Sequence, residues 1–186
     1  MTGRVRPLAR HDIDADVVAR LRSSFPRADK FFADSNAPPM PPVLGLLARH
    51  PGIAGPWLGF SGALLDGGVL DARTRELLIL ATARRTRATY VWEEHLPMAA
   101  MAGLAPDEVE AIEADGAHDW AAADLALLRA VEELVDHYRV GDDTWRVLAG
   151  RFDDQALLEV LFVVGTYCCL SMVLNSTGLD AEEESS

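Results

Sequence analysis

From Val160 to Leu174 the chain is apolar at nearly every position, interrupted only by Gly165, Thr166 and Ser171. A helix with this pattern has no polar side to turn to water, so it must be covered all round. A chain of 186 residues has barely enough material to surround one helix completely. The run therefore predicts a helical bundle in which further copies of the chain supply part of the cover, a homo-oligomer. Its interruptions and its length make it too short to span a bilayer, so the reading is a core helix with no membrane partner.

The rest of the chain carries helical punctuation, and no segment alternates with the period of a strand. Asp12 to Ser24 reads as a short helix stopped before Pro26, followed by a proline-rich loop over residues 33–42. Val43 to His50 reads as a helix ended by Pro51 and Gly52, with a second helix continuing to about Leu65 and the turn Asp66-Gly67-Gly68. Asp71 is placed to cap a helix to Arg87, Thr89 to open the next, and Gly103 to close it. Pro106 suits a first helical position, with Asp107 and Glu108 at the positive end, and that helix stops near Gly116. Asp119 to about Arg139 reads as a long amphipathic helix with Leu125, Leu128, Val131, Leu134 and Val135 inward. Asp142 and Asp153 then cap a short helix to Arg151 and the long apolar one to Ser176. The expectation is an all-α, single-domain bundle over residues 1–186, of about seven to nine helices. Within it lie an N-terminal helix and proline-rich loop (1–42), a closing helix (153–177) and an acidic tail (179–186).

Composition narrows the function classes. The net charge of −12 opposes nucleic-acid binding, which needs a basic face to neutralise phosphates, and disfavours anionic lipid. Lys30 is the only lysine, and the arginine bias matches an alanine-rich composition rather than a binding function. The cysteines, Cys168 and Cys169, are adjacent and give no disulfide framework, which points to a reducing, cytoplasmic setting. The first residues, "MTGRVRPLARHDID", lack the apolar core of a secretory signal.

Two groups suited to proton transfer stand nineteen positions apart, Glu76 on one expected helix and His95 on the next. Glu76 shares an apolar face with Leu80 and Ala83. A carboxylate there is either paired, for instance with Arg73, or driven toward its neutral acid form by desolvation. His95 shares a face with Trp92, Ala99 and Ala102, where small residues leave room beside the imidazole; the bland alternative is a satisfied core histidine. Pro97 removes an amide donor one turn from Glu93 and predicts a bend. Tyr90 and Trp92 read either as aromatic core or as pocket wall, with the Tyr90 hydroxyl a possible donor to substrate. Glu93 and Glu94 read as a solvated face, and Arg84, Arg85 and Arg87 favour the negative end of the Glu76 helix. His11, His50, His118 and His137 are scattered without metal-ligand spacing, so no metal site is expected. No nucleophile elbow, phosphate loop or dinucleotide fingerprint occurs.

With these residues placed, the segment 70–112, "LDARTRELLILATARRTRATYVWEEHLPMAAMAGLAPDEVEAI", resembles the core of the carboxymuconolactone decarboxylase family, within the all-helical alkylhydroperoxidase D-like superfamily. The R-E pair, the Y-x-W-x-x-H string and the "GL-x-P-x-E-V" step carry the resemblance, and the closing helix is similar in its tyrosine and late asparagine. The peroxidase branch has Glu-x11-Cys-x2-Cys-x3-His; here Ala88 and Val91 stand at the two thiol positions, so thiol-dependent peroxide reduction is not expected. The resemblance implies the cysteine-free branch, with cofactor-free acid-base chemistry on small carboxylated or carbonyl compounds.

The leading expectation is a lyase that decarboxylates a β-keto or vinylogous acid. Glu76 and His95 would be catalytic, and Tyr90, Trp92, Trp57, Phe60 and Arg84 would bind the substrate. No cofactor is expected, and the oligomer would be a trimer or hexamer. A cyclase, isomerase or dehydratase using the same pair is the first alternative, and a non-catalytic oligomer that binds a small ligand is the second.

Overall fold

Side-chain caps and prolines set the helix boundaries. The computed structural model describes residues 3–33 and 36–179, so the acidic tail lies, but for its first residue, outside the described residues. The described chain is all-helical, with nine α-helices and two 3-10 turns (Arg10–Asp12 and Pro26–Phe31). Its elements gather into two compact units.

The first unit comprises residues 3–67 with 176–179 and holds α1 (Ala15–Ser24), α2 (Pro42–Ala48) and α3 (Pro51–Asp66). Its core is a cluster of buried Ile13, Leu21, Leu44, Ala54 and Leu58, against which Phe25 and Trp57 pack. Pro51 starts a helix instead of ending one: at the first helical position its missing amide hydrogen costs nothing. Gly45 sits inside α2 because the N-terminal segment crosses there. A Cβ at that position would lie 2.3 Å from the Leu8 carbonyl oxygen, while the Leu8 amide donates to the Gly45 carbonyl at 3.1 Å. Residues 176–179 are tied in by the Thr177 carbonyl, which accepts from the Arg4 amide at 2.6 Å.

The second unit, residues 68–175, contains α4 (Ala72–Thr86), α5 (Thr89–Ala102), α6 (Pro106–Ala114), α7 (Ala122–His137), α8 (Asp142–Ala149) and nearly all of α9 (Asp154–Thr177). Asp71 caps α4 through its carboxylate, which accepts from the Thr74 amide at 2.8 Å and the Thr74 hydroxyl at 2.9 Å. Burial raises the Asp71 carboxyl, but these bonds, with Arg151 and Arg73 nearby, outweigh it and hold it below the usual carboxylate range. Leu77, Leu78, Ile79 and Leu80 are all fully enclosed. Each contributes about 1.5–3 kcal/mol by leaving water.

The most completely covered helix is therefore α4, not α9. Although α9 buries Leu157, Val160, Val163, Val164 and Leu174, it leaves Leu158, Phe162, Met172 and Val173 exposed. The helix extends beyond the apolar run to 24 residues, and an 18-residue window of it has a mean hydropathy of 2.2, enough to cross a membrane by length and composition only. Half of that window is buried inside the protein, as in a core helix. Of the inward face expected for α7, Val131 is buried and Leu128, Leu134 and Val135 are half-buried, but Leu125 is exposed, and Ala126, Leu127 and Ala130 are buried as well.

Candidate active site

The link between α4 and α5 is a tight reversal that sets the two helices side by side. Arg87 adopts the left-handed conformation (φ 55°, ψ 38°), and the Ala88 amide returns to the Ala83 carbonyl at 2.9 Å. This double-bonded helix end satisfies the last carbonyls of α4 and restarts the chain as α5. The α9 helix latches the same corner: the Asn175 side-chain amide donates to the Thr86 carbonyl at 2.8 Å, and the Ser171 and Thr86 hydroxyls meet at 2.9 Å. Gly103, at φ 93°, ends α5 as its position implies.

This packing brings Glu76 and His95 together. Glu76 Oε2 lies 2.7 Å from His95 Nδ1, and both side chains are buried. A carboxylate can only accept, so Nδ1 carries the hydrogen and the tautomer is fixed. The other ring nitrogen, Nε2, lies 3.1 Å from Tyr167 Oη on α9. The tyrosine ring meets the imidazole edge-on, with centroids 5.1 Å apart and planes at 86°. The three groups form a continuous hydrogen-bonded chain, Glu76–His95–Tyr167, inside the second unit. Arg73, the alternative partner for Glu76, is committed elsewhere, to Asp124 at 2.9 Å and to Glu108.

The remaining expected site residues fall in different places. Tyr90 is buried and Trp92 half-buried on α5. Five residues before His95, Tyr90 is about 140° away around the helix. Trp57 packs on the hydrophobic cluster of the first unit, and Phe60 is exposed on α3. Arg84 donates to the Glu113 carbonyl and lines a cleft of about 280 Å³ with Arg87, Trp120 and Leu128. Neither Glu76 nor His95 lines that cleft. On α4 it is Arg75, next to Glu76, whose Nε is buried without a hydrogen-bond partner. Glu93 and Glu94 lie on the exposed side of α5. Partial desolvation of the Glu94 carboxyl still pushes its pKa up, outweighing the effect of nearby His95, and Glu93 adds to the rise.

Sequence reasoning noted Arg75, in the R-E pair, and the closing-helix tyrosine, Tyr167, only as parts of the family resemblance and gave neither a place in the site. Beyond that resemblance, the signal for Tyr167 was a polar tip within an apolar run, and for Arg75 its adjacency to Glu76. The thiols Cys168 and Cys169 are free, and burial, with Cys169 alongside, pushes the Cys168 thiol up and keeps it protonated. Ala88 and Val91 are packed core. Among the described residues no cluster of three metal-ligating side chains occurs.

The sequence profile of the Carboxymuconolactone decarboxylase family matches residues 51–133, a span that includes Glu76 and His95. Over that span, less than half of the chain, the sequence is similar to that family. No match is found among curated proteins. Solved structures agree on the superfamily fold. An uncharacterized peroxidase-related protein from Ralstonia eutropha JMP134, with an alkylhydroperoxidase AhpD core, superposes with a TM-score of 0.78 at 16% identity, over 99% of this chain and 94% of that one. A cysteine-to-alanine variant of the debrominase Bmp8, in complex with 2,3,4-tribromopyrrole, gives 0.73 at 14% identity, over 98% and 93%. An uncharacterized peroxidase-related protein from Silicibacter sp. TM1040 gives 0.73 at 12% identity, over 96% and 93%. At these identities the likeness is one of fold. The matched span contains Glu76 and His95, and Tyr167 lies beyond it.

Proposed function

We propose that this protein is a lyase acting on small carbonyl acids, releasing CO2 from a β-keto or vinylogous acid by proton transfer at Glu76 and His95. One observation carries the reading: a buried carboxylate bonded at 2.7 Å to an imidazole whose tautomer it fixes. Loss of CO2 leaves an electron pair that must be delocalised into a carbonyl and then protonated. The Glu76 carboxylate stabilises the imidazolium, the source of that proton, and the surrounding apolar residues limit screening of the pair. Acid-base assistance of this kind contributes about 10²–10⁴-fold. The reaction needs no cofactor, because the substrate's own carbonyl serves as the electron sink. The test is CO2 release from a panel of β-keto acids and unsaturated lactone acids. Release by the wild-type protein and its loss in His95→Ala support the reading; equal release by both overturns it. Turnover without CO2 points instead to an isomerase or dehydratase using the same pair.

The exposed stripe of α9 is proposed to be covered by a second copy of the chain. Leu158, Phe162, Gly165, Cys169 and Met172 recur at alternating spacings of four and three, the period of a helix–helix seam, and none is charged. Phe162→Glu is expected to lower the sedimentation coefficient; no change would refute this seam.

A further inference from the structure

We propose that the cleft between α4, α6 and α7 is a second ligand site, separate from the Glu76–His95 pair, and that it takes a small carboxylic acid with a flat apolar body. The proposal stands independently of the decarboxylase reading above.

The cleft measures about 280 Å³, and every residue that lines it belongs to the second unit. That is just under the usual range of about 300–1,000 Å³ for small-molecule sites, which suits a ligand of one ring and a short chain. The cleft turns away from the acid-base pair. Ala81 and Arg85, which line it, stand about 140° and 180° around α4 from Glu76. The buried part of the lining is apolar, with Ala81, Ile112 and Val131. Trp120 and Leu128 are half-buried there, and Leu125 is exposed. Trp120 is held in place: its amide donates to the His118 carbonyl at 2.9 Å, and the His118 ring lies against the indole with centroids 4.6 Å apart. A flat apolar group stacks on such an indole and covers the neighbouring leucines.

The charged part of the lining sets the sign of the ligand. Three arginines, Arg84, Arg85 and Arg87, stand with two carboxylates, Asp115 and Glu132. Arg85 answers the carboxylates. It is ion-paired with Asp136, and its pKa is raised by Asp136 first and, against desolvation, by Glu132 and Asp115. Arg84 uses Nε alone, donating to the Glu113 carbonyl, and among the described residues neither Arg84 nor Arg87 pairs with a carboxylate. Nor is Arg84 or Arg87 needed to cap α4 with its guanidinium. The Ala83 and Arg84 carbonyls accept from the amides of Ala88 and Arg87, at 2.9 and 3.2 Å, and the Thr86 carbonyl accepts from Asn175. Two guanidiniums therefore remain beside an apolar surface. Their planar N–H pairs match a carboxylate. The chain as a whole carries −12, so an anion is held by these two groups and not by the overall field.

The probe is 3-phenylpropanoate, titrated into the full chain by calorimetry and by NMR of the indole and arginine Nε signals. It is expected to bind and to move the resonances of Trp120, Arg84 and Arg87. The uncharged 3-phenylpropanamide and inorganic phosphate, which lack the charge and the ring respectively, should each bind at least about tenfold more weakly. These comparisons use the wild-type protein alone, so they hold even where a variant fails to fold. The double variant Arg84→Gln, Arg87→Gln removes both charges, and its affinity for 3-phenylpropanoate should fall about tenfold or more. No binding of 3-phenylpropanoate up to about 10 mM would overturn the proposal. So would equal binding of the amide or of phosphate, undiminished affinity in the folded double variant, or shifts at His95 with Trp120 unmoved. None of these outcomes bears on CO2 release, which tests the decarboxylase reading separately.

Discussion

Replacing Glu76 with glutamine removes one negative charge and almost no volume. The carboxylate is 2.7 Å from His95 Nδ1, and the two side chains are only 5% and 9% exposed, so water screens the pair little. A hydrogen bond to a charged group is worth about 1.5–3 kcal/mol, against about 0.5–1.5 kcal/mol for a neutral one. Glutamine can still accept the Nδ1 hydrogen through its carbonyl, so the loss is the difference, about 1–1.5 kcal/mol of imidazolium stabilisation. If the imidazolium supplies the reacting proton, CO2 release should fall about 5- to 13-fold at matched enzyme concentration. Glu76→Ala is a harsher change. It leaves a buried N–H without an acceptor and an empty space beside it, and breaking a buried pair in this way costs about 3–5 kcal/mol of stability. Urea unfolding followed by tryptophan fluorescence would separate the two effects. Glu76→Gln should unfold near the wild-type midpoint with reduced turnover, and Glu76→Ala well below it. Full turnover in Glu76→Gln would refute the role given to the charge.

Two further outcomes follow from the scaffold. The Asp71 carboxyl is held below its unfolded value, so its stabilisation is complete above the usual carboxylate range and fades as pH falls through its lowered folded value. Asp71→Ala should lower stability by about 1 kcal/mol at neutral pH and flatten the acid limb of the stability curve; an unchanged limb would count against the cap. Gly45→Ala places a methyl group 2.3 Å from a backbone oxygen and should cost about 1–3 kcal/mol in thermal or urea unfolding, although alanine is the better helix former. A stabilised Gly45→Ala protein would show that the N-terminal segment does not cross α2 there.

The helices around the site were legible because their signals are local. Asp71, Thr89, Gly103 and Pro106 each mark a boundary by their own capping or backbone chemistry, and α4 and α5 begin and end where those residues stand. The approach of Glu76 to His95 was legible for a related reason: adjacent helices joined by a short reversal must lie side by side. The contact of Tyr167 with His95 was not legible, since it is made from 72 positions away and is set by how α9 packs. On α7 only Leu125 was misplaced, because alanine signals burial weakly, and Ala126 and Ala130 fit where the larger Leu125 stays out. The break between α2 and α3 was legible, but not that Pro51 is itself the first residue of α3, since a proline that stops one helix is well suited to begin the next.

The most direct test of the proton-transfer account is turnover in deuterated water, with released CO2 counted and the product examined by mass spectrometry and NMR. The account expects one CO2 per product molecule and one deuterium on the carbon that carried the carboxylate, with both signals lost in His95→Ala. Product formed without CO2, or with hydrogen in place of deuterium at that carbon, would contradict it.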